Sequence, residues 1–226
     1  DIFVRKWSSQ LTCHYTAHVP WASRGAFLLA TRQSLARVLV LDHDTPCAAR
    51  DSGSVRMLNF IRVLLGRRHH VTFAGVESDA DDACALQLQS LGAHVTSAGL
   101  LKFRSLSTKC DFDLVVASRR SVAKAWLPLL RAVCPEAPVV FDTVDLHFLR
   151  EIREVSVAKG YDYDATLSAS ENARRLMTKY PNLQNTKTWR LYEEGYTTEL
   201  RVMNASDATI VVSGVERREL EALKRQ

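Results

Sequence analysis

The chain has 226 residues, a formal net charge of +5 and 46% hydrophobic residues, which suits a globular core and does not indicate disorder. Its longest apolar runs, such as Phe27–Ala30 and Val38–Leu41, fall far short of the ~18 residues a membrane span requires, and residues 1–30 lack the ordered regions of a signal peptide. The basic charge is spread over arginine pairs (Arg67-Arg68, Arg119-Arg120, Arg174-Arg175, Arg217-Arg218) and not along a stripe with interleaved aromatics, so no nucleic-acid partner is expected; solvated faces, or attraction to anionic headgroups and phosphorylated ligands, are the two readings.

Residues 1–35 carry no clear period, with Trp7, His14, His18 and Trp21 in a broken polar context. Asp1 is not a natural start, so this part is expected to be an upstream extension or linker within a longer protein. From Arg37 the pattern is regular. Val38–Leu41 reads as a strand buried on both faces, and Asp42–Ser54 as a loop. Met57, Phe60, Ile61, Leu64 and Leu65 fall at helical spacing, with Gly66 suited to the helix end.

Val71–Ala74 predicts the second strand, and Asp79, Asp81 and Asp82 favour the positive start of a helix whose buried face is Cys84, Leu88 and Leu91. His94–Ala98 is a third strand and Asp113–Ala117 a fourth. Val122, Trp126, Leu129, Leu130 and Val133 form one helical stripe. A fifth strand covers Pro138–Phe141, helix runs from Leu146 to Lys159 and onward to Asn204, a sixth strand covers Ala208–Val212, and Val215–Lys224 is a closing helix. Alternation of this kind predicts a doubly wound α/β fold, its sheet mostly parallel with helices on both faces. Ligands then bind outside the carboxyl ends of the strands.

The five cysteines, Cys13, Cys47, Cys84, Cys110 and Cys134, form no CxxC pair; an odd, dispersed set points to reduced thiols in a cytoplasmic protein. Three groups at the strand ends carry chemistry. Asp51-Ser52-Gly53-Ser54 reads as a serine N-cap, as an anion site at a helix start, or as both. Asp142–Glu151 holds two aspartates, His147 and Arg150 after the fifth strand. They read as an active-site rim with a general base and a phosphate-neutralising arginine (Arg150 or Arg153), or as an aspartate cap beside a packed histidine. Arg119 either faces the crevice or belongs to a surface pair. The dinucleotide, P-loop, HExxH and GxSxG fingerprints are absent. The triplets Asp42–Asp44, Asp111–Asp113 and Asp162–Asp164 lack a convincing third ligand, so no metal is expected.

"VLVLDHDTPCAARDSGSVRMLNFIRVLLGRRHHVTFAG", "FDLVVASRRSVAKAWLPLLRAVCPEAPVVFDTVDLHFLRE" and "SDATIVVSGVERREL" together resemble the N-terminal lobe of family-4-type GT-B glycosyltransferases, over about Arg37 to Leu223. The resemblance implies a Rossmann-like lobe (residues 36–226) that mainly binds the acceptor. The implied reaction moves a sugar from a nucleotide-sugar co-substrate to a glycan or glycolipid, with no other cofactor.

Residue by residue, it implies that Ser52, Gly53 and Ser54 form the donor phosphate-side loop and that Asp145 is the acid after the fifth strand. Many relatives carry a histidine just before that acid; this chain has Val144 there, and His147 is the substitute. Arg119 and Arg150 are implied contacts to acceptor or phosphate, and Ser213 and Glu216 structural positions. The C-terminal donor lobe is expected to be absent from this chain and the fragment inactive alone. A cytoplasmic protein, peripheral at the membrane, goes with that activity. The competing expectation is a catalytically silent Rossmann-like or flavodoxin-like module for protein contacts.

Overall fold

The computed structural model describes residue 28 and residues 30–77, 83–97, 99 and 111–223. Expectations for residues 1–27, Asp79, Asp81, Asp82, Cys13, Cys110 and Lys224 lie outside these residues. The elements are β1 (Arg37–Asp42), α1 (Ser52–Gly66), β2 (His70–Gly75), α2 (Ala83–Ser90), β3 (His94–Ser97), β4 (Leu114–Ser118), α3 (Arg120–Val133) and β5 (Val139–Asp142). They continue with α4 (His147–Ala158), α5 (Ala169–Lys179), a 3-10 turn (Pro181–Asn185), α6 (Lys187–Ala205), β6 (Ala208–Ile210) and α7 (Gly214–Leu223). The strands form a parallel sheet in the order β3-β2-β1-β4-β5-β6, the doubly wound Rossmann-like α/β arrangement. None of the described helices is long and apolar enough to cross a membrane.

Two compact units divide the chain: Asp1–Val115 with Leu130–Ala137, and Val116–Leu129 with Pro138–Gln226. In the first, β1 and β2 pair in register from Arg37↔His70 to Asp42↔Gly75, and β3 adds from Thr72↔His94. β1, with its unbroken apolar run, and β2, which carries a buried Thr72 between Val71 and Phe73, are buried along nearly their whole length, as expected of strands covered on both faces. Met57, Leu58 and Ile61 of α1 are fully buried in this unit. Asp113 accepts from the Arg37 N–H at 2.7 Å and from its Nη2 at 2.7 Å, tying the start of β1 to the residue before β4.

In the second unit β5 pairs with β6 from Val140↔Ala208 to Asp142↔Ile210. A core of α4, α5 and α6 gathers Phe148, Ile152, Val155, Leu176, Trp189 and Tyr192. Each fully buried side chain of this size stabilises the fold by about 1.5–3 kcal/mol. Phe148 and Tyr196 meet edge to face, their centroids 5.3 Å apart. Ser168 and Glu171 form a capping box at the start of α5, a pattern written in the sequence as Ser-x-x-Glu.

α1 ends at Gly66, as expected, and Arg68 takes the left-handed conformation at φ = +62° after it; the N–H groups of Arg68 and His69 then satisfy the Leu65 and Leu64 carbonyls. Other local expectations are corrected. In α3 the buried positions are Val122, Ala123, Leu127 and Leu130, with Trp126 only half-buried. The sixth strand ends at Ile210, because the Val212 N–H donates to the Glu216 carboxylate at 2.9 Å instead of to a neighbouring strand.

The expectation of reduced thiols is overturned for Cys47 and Cys84, which form a disulfide with their Cα atoms 5.4 Å apart; Cys134 is buried and outside that bond. Parallel pairing of β1 with β2 brings their carboxyl-end loops together, which counting along the chain does not reveal.

Candidate functional site

In the first unit, Ser52, Gly53 and Ser54 form the first turn of α1. The cap is Asp51, not a serine: its carboxylate accepts from the Ser54 N–H at 2.8 Å and from the Ser54 hydroxyl at 3.0 Å. A carboxylate at this position satisfies one helix donor and favours the positive helix end. It also engages the Ser54 hydroxyl, while Ser52 beside it is exposed.

In the second unit, the segments following β4 and β5 are tied together by the Arg119 N–H, which donates to the Asp142 carbonyl at 2.9 Å. The Ser118 hydroxyl donates to the Asp142 carboxylate at 3.1 Å, and both residues are buried. Asp142 is therefore a structural brace within the rim and not a solvent-facing acid. Thr143 donates its N–H and its hydroxyl to the Ile210 carbonyl, each at 3.1 Å.

Beyond Thr143 the chain turns sharply. Val144 has φ = +63° and Arg119 φ = +71°, conformations that cost ~1–3 kcal/mol for residues with a Cβ and collect at functional loops. Branching at Cβ makes Val144 the more strained of the two. Val144→Gly is expected to raise the unfolding free energy by about 1 kcal/mol, the strain relieved minus the entropy a glycine adds to the unfolded chain. Urea titration of the two proteins measures this, and a loss of stability would contradict it.

The turn places Asp145, His147 and Arg150 in one triad. Asp145 forms an ion pair with Arg150 and lies 3.3 Å from His147 Nε2, while Arg150 Nη2 is 3.0 Å from His147 Nδ1. Guanidinium nitrogens only donate, so Nδ1 accepts and Nε2 carries the proton that faces Asp145. This is a neutral imidazole in one tautomer. Burial lowers the His147 pKa, and the positive charges of Arg120, Arg150 and Arg119 lower it further, against the pull of Asp145.

Both ring nitrogens are thus engaged, and His147 holds the acid in place. Asp145 is partly exposed, its side chain 36% accessible. An ionised carboxylate offers about four acceptor positions, so Asp145 keeps capacity to accept a hydroxyl. Arg119 is among the charges acting on His147. Arg153, the alternative anion-binding arginine, instead lies over the Tyr163 ring at 5.5 Å.

Neither aspartate caps α4. The N-cap position is Leu146, which offers no side-chain bond. Two distant glutamates fill that role. Glu199 of α6, fully buried, accepts from the His147 N–H at 3.0 Å and the Phe148 N–H at 2.9 Å. Glu216 of α7 accepts from the Leu146 N–H at 3.2 Å, and its own N–H donates to the Ser213 hydroxyl at 3.2 Å. Sequence reasoning passed over Glu199. Its signal is a glutamate set in the buried stripe Tyr192, Gly195, Glu199, Val202 of α6, where only a paired carboxylate is tolerated.

The Asp-x-Asp triplets are absorbed into the fold. The Asp42 carboxylate is buried and accepts from the His43 N–H at 2.7 Å, and Asp44 pairs with Arg50 at 3.4 Å. Asp113 holds Arg37, and Asp164 accepts from the Thr166 hydroxyl at 2.6 Å and pairs with Arg175. Among the described residues no three His, Cys, Asp or Glu side chains are grouped to hold a metal ion. In comparisons with known proteins the chain matches no family model and no curated protein.

Proposed function

We propose that this chain is the acceptor-side lobe of a glycosyltransferase of the family-4-type GT-B class, moving a sugar from a nucleotide-sugar donor to a glycan or glycolipid. The observation that carries the reading is Asp145, a partly exposed carboxylate on a strained turn at the carboxyl end of β5, held in one orientation by His147 and Arg150. The doubly wound fold and the motif resemblance support it. In this reading Asp145 accepts the acceptor hydroxyl and His147 positions it. Arg119 and Arg150 meet acceptor or phosphate oxygens, and Ser52, Gly53 and Ser54 lie on the donor diphosphate side through backbone N–H groups. The protein works on the cytoplasmic side, peripheral at the membrane, with its basic faces toward anionic headgroups.

The test is transfer of labelled sugar from a panel of nucleotide sugars by the protein at its natural full length. Asp145→Asn is expected to lower transfer about tenfold, the loss of one charge-assisted hydrogen bond to the acceptor, while leaving the circular dichroism unchanged. Gly53→Val is expected to weaken the donor-side loop. Full activity in both variants would remove the site assignment. No transfer from any donor by the wild-type protein would remove the enzymatic reading in favour of a silent protein-contact module.

A further inference from the structure

Cys47 lies in the loop between β1 and α1, four residues before the Asp51 cap, and Cys84 lies in the first turn of α2. Their disulfide spans 37 positions of sequence and joins the loop after β1 to the helix that follows β2. Close to the strands, the same two segments are already tied by backbone. The Val76 N–H donates to the Asp42 carbonyl at 3.0 Å and the Glu77 N–H to the His43 carbonyl at 2.9 Å, with His43 3.5 Å from the Glu77 carboxylate.

Further out the anchoring changes character. The Arg50 N–H donates to the Cys47 carbonyl at 3.0 Å and Arg50 pairs with Asp44 at 3.4 Å, both contacts internal to the loop. Residues 48–50 are exposed. The disulfide is the covalent link from this outer part of the loop to α2. Both cysteines are half-buried, within reach of an exchanging thiol, whereas Cys134 is buried.

We propose that Cys47–Cys84 is a redox-operated clip on the loop that leads into α1. Closed, it holds residues 47–50 to α2; opened, it releases them while buried Thr45 and the β1–β2 pairing stay in place. The chemistry is exchange with a dithiol reductant of the small-molecule or thioredoxin-like class. A reductant thiolate attacks one cysteine sulfur, the S–S bond breaks, and the other cysteine leaves as a thiolate that takes up a proton. The second reductant thiol then displaces the mixed disulfide. The chain gains two electrons and two protons, and the reductant leaves as its own disulfide. In a reducing compartment, where the proposed function would place this chain, bonds of this kind are characteristically transient and redox-sensing, not permanent staples. The clip rests on loop geometry and stands whether or not the neighbouring helix start meets a donor diphosphate.

The experiment is hydrogen exchange by mass spectrometry on the whole chain, purified without reductant and then treated with dithiothreitol, with differential alkylation reporting the state of each cysteine. Alkylation is expected to find Cys47 and Cys84 protected before treatment and reactive after it. Exchange of the amides of residues 47–50 is expected to rise about tenfold on reduction, a local opening, with the β1 and β2 amides unchanged. The Cys47→Ser/Cys84→Ser variant is expected to exchange like the reduced protein without any reductant, and Cys134→Ala like the wild type. Three outcomes overturn the clip: both thiols alkylated before reduction, identical loop exchange in the two states, or loss of protection throughout β1 and β2 on reduction, which would make the bond a staple of the whole unit.

Discussion

Replacing Glu199 with leucine is expected to lower the unfolding free energy by about 3 kcal/mol near pH 5.5. Leucine fills the same volume but leaves the His147 and Phe148 N–H groups without their acceptor, and a buried unsatisfied donor costs about 1–3 kcal/mol. The cost depends on pH with a defined sign. Burial pushes the Glu199 pKa up to about 7 from its ordinary 4.5, outweighing the two backbone N–H bonds and Arg120, which lower it.

Between those two values the folded protein holds a proton that the unfolded chain has released. The contribution of Glu199 is therefore fully present below about pH 4.5 and is lost as pH rises through about 7, a change of roughly 3 kcal/mol. Burial also raises Glu151 and Glu219, which slope the same way, while lowered His147 slopes oppositely, losing stability as pH falls below 6.5. The difference between wild type and Glu199→Leu is thus expected to shrink from pH 5.5 to pH 8. Urea midpoints at the two pH values measure it, and a difference independent of pH would refute the assignment of the buried proton to Glu199.

Gly195→Ala is expected to destabilise the protein by about 2 kcal/mol, although alanine is the better helix former by about 1 kcal/mol. Gly195 is buried on α6, where an added Cβ would overlap Glu151 Oε2 and Arg120 Nη1. Those atoms belong to an ion pair at 3.2 Å whose side chains are 23% and 13% accessible. Separating a fully buried pair costs about 3–5 kcal/mol; this one is partly solvated, so the lower end applies, offset by the helix gain. The same substitution in an Arg120→Ala/Glu151→Ala background is expected to stabilise by about 1 kcal/mol, because only the propensity term is left. Thermal unfolding of the four proteins completes the cycle. A stabilising Gly195→Ala in the wild type would show that the pair yields freely.

The site divides along the same line as these predictions. Asp145, His147 and Arg150 stand within six positions of one another, so their grouping after an apolar strand was readable from the chain. Their roles were not. Asp142 and Asp145 read alike in sequence, as rim acids or helix caps, yet Ser118, 24 positions away, claims Asp142. Asp145 looked like a helix cap, yet Glu199 caps α4 from 51 and 52 positions away and frees the aspartate for His147 and Arg150. Ser52 or Ser54 looked like the cap of α1, yet Asp51 outcompetes them because its carboxylate reaches both the N–H and the hydroxyl of Ser54.

What the amino-acid sequence determined by itself is the succession of strands and helices and the parallel α/β class. Those follow from apolar periodicity, which acts over a few residues and is decided by burial of one face or both. Only the tertiary structure decided which carboxylates are buried and bonded, that Val144 adopts the left-handed conformation, that Arg120 and Glu151 pack directly against Gly195, and that Cys47 meets Cys84. Each depends on groups far apart in sequence meeting at the ends of the strands. There an isolated charge or an unpaired N–H is too costly to bury, and the fold selects the partner.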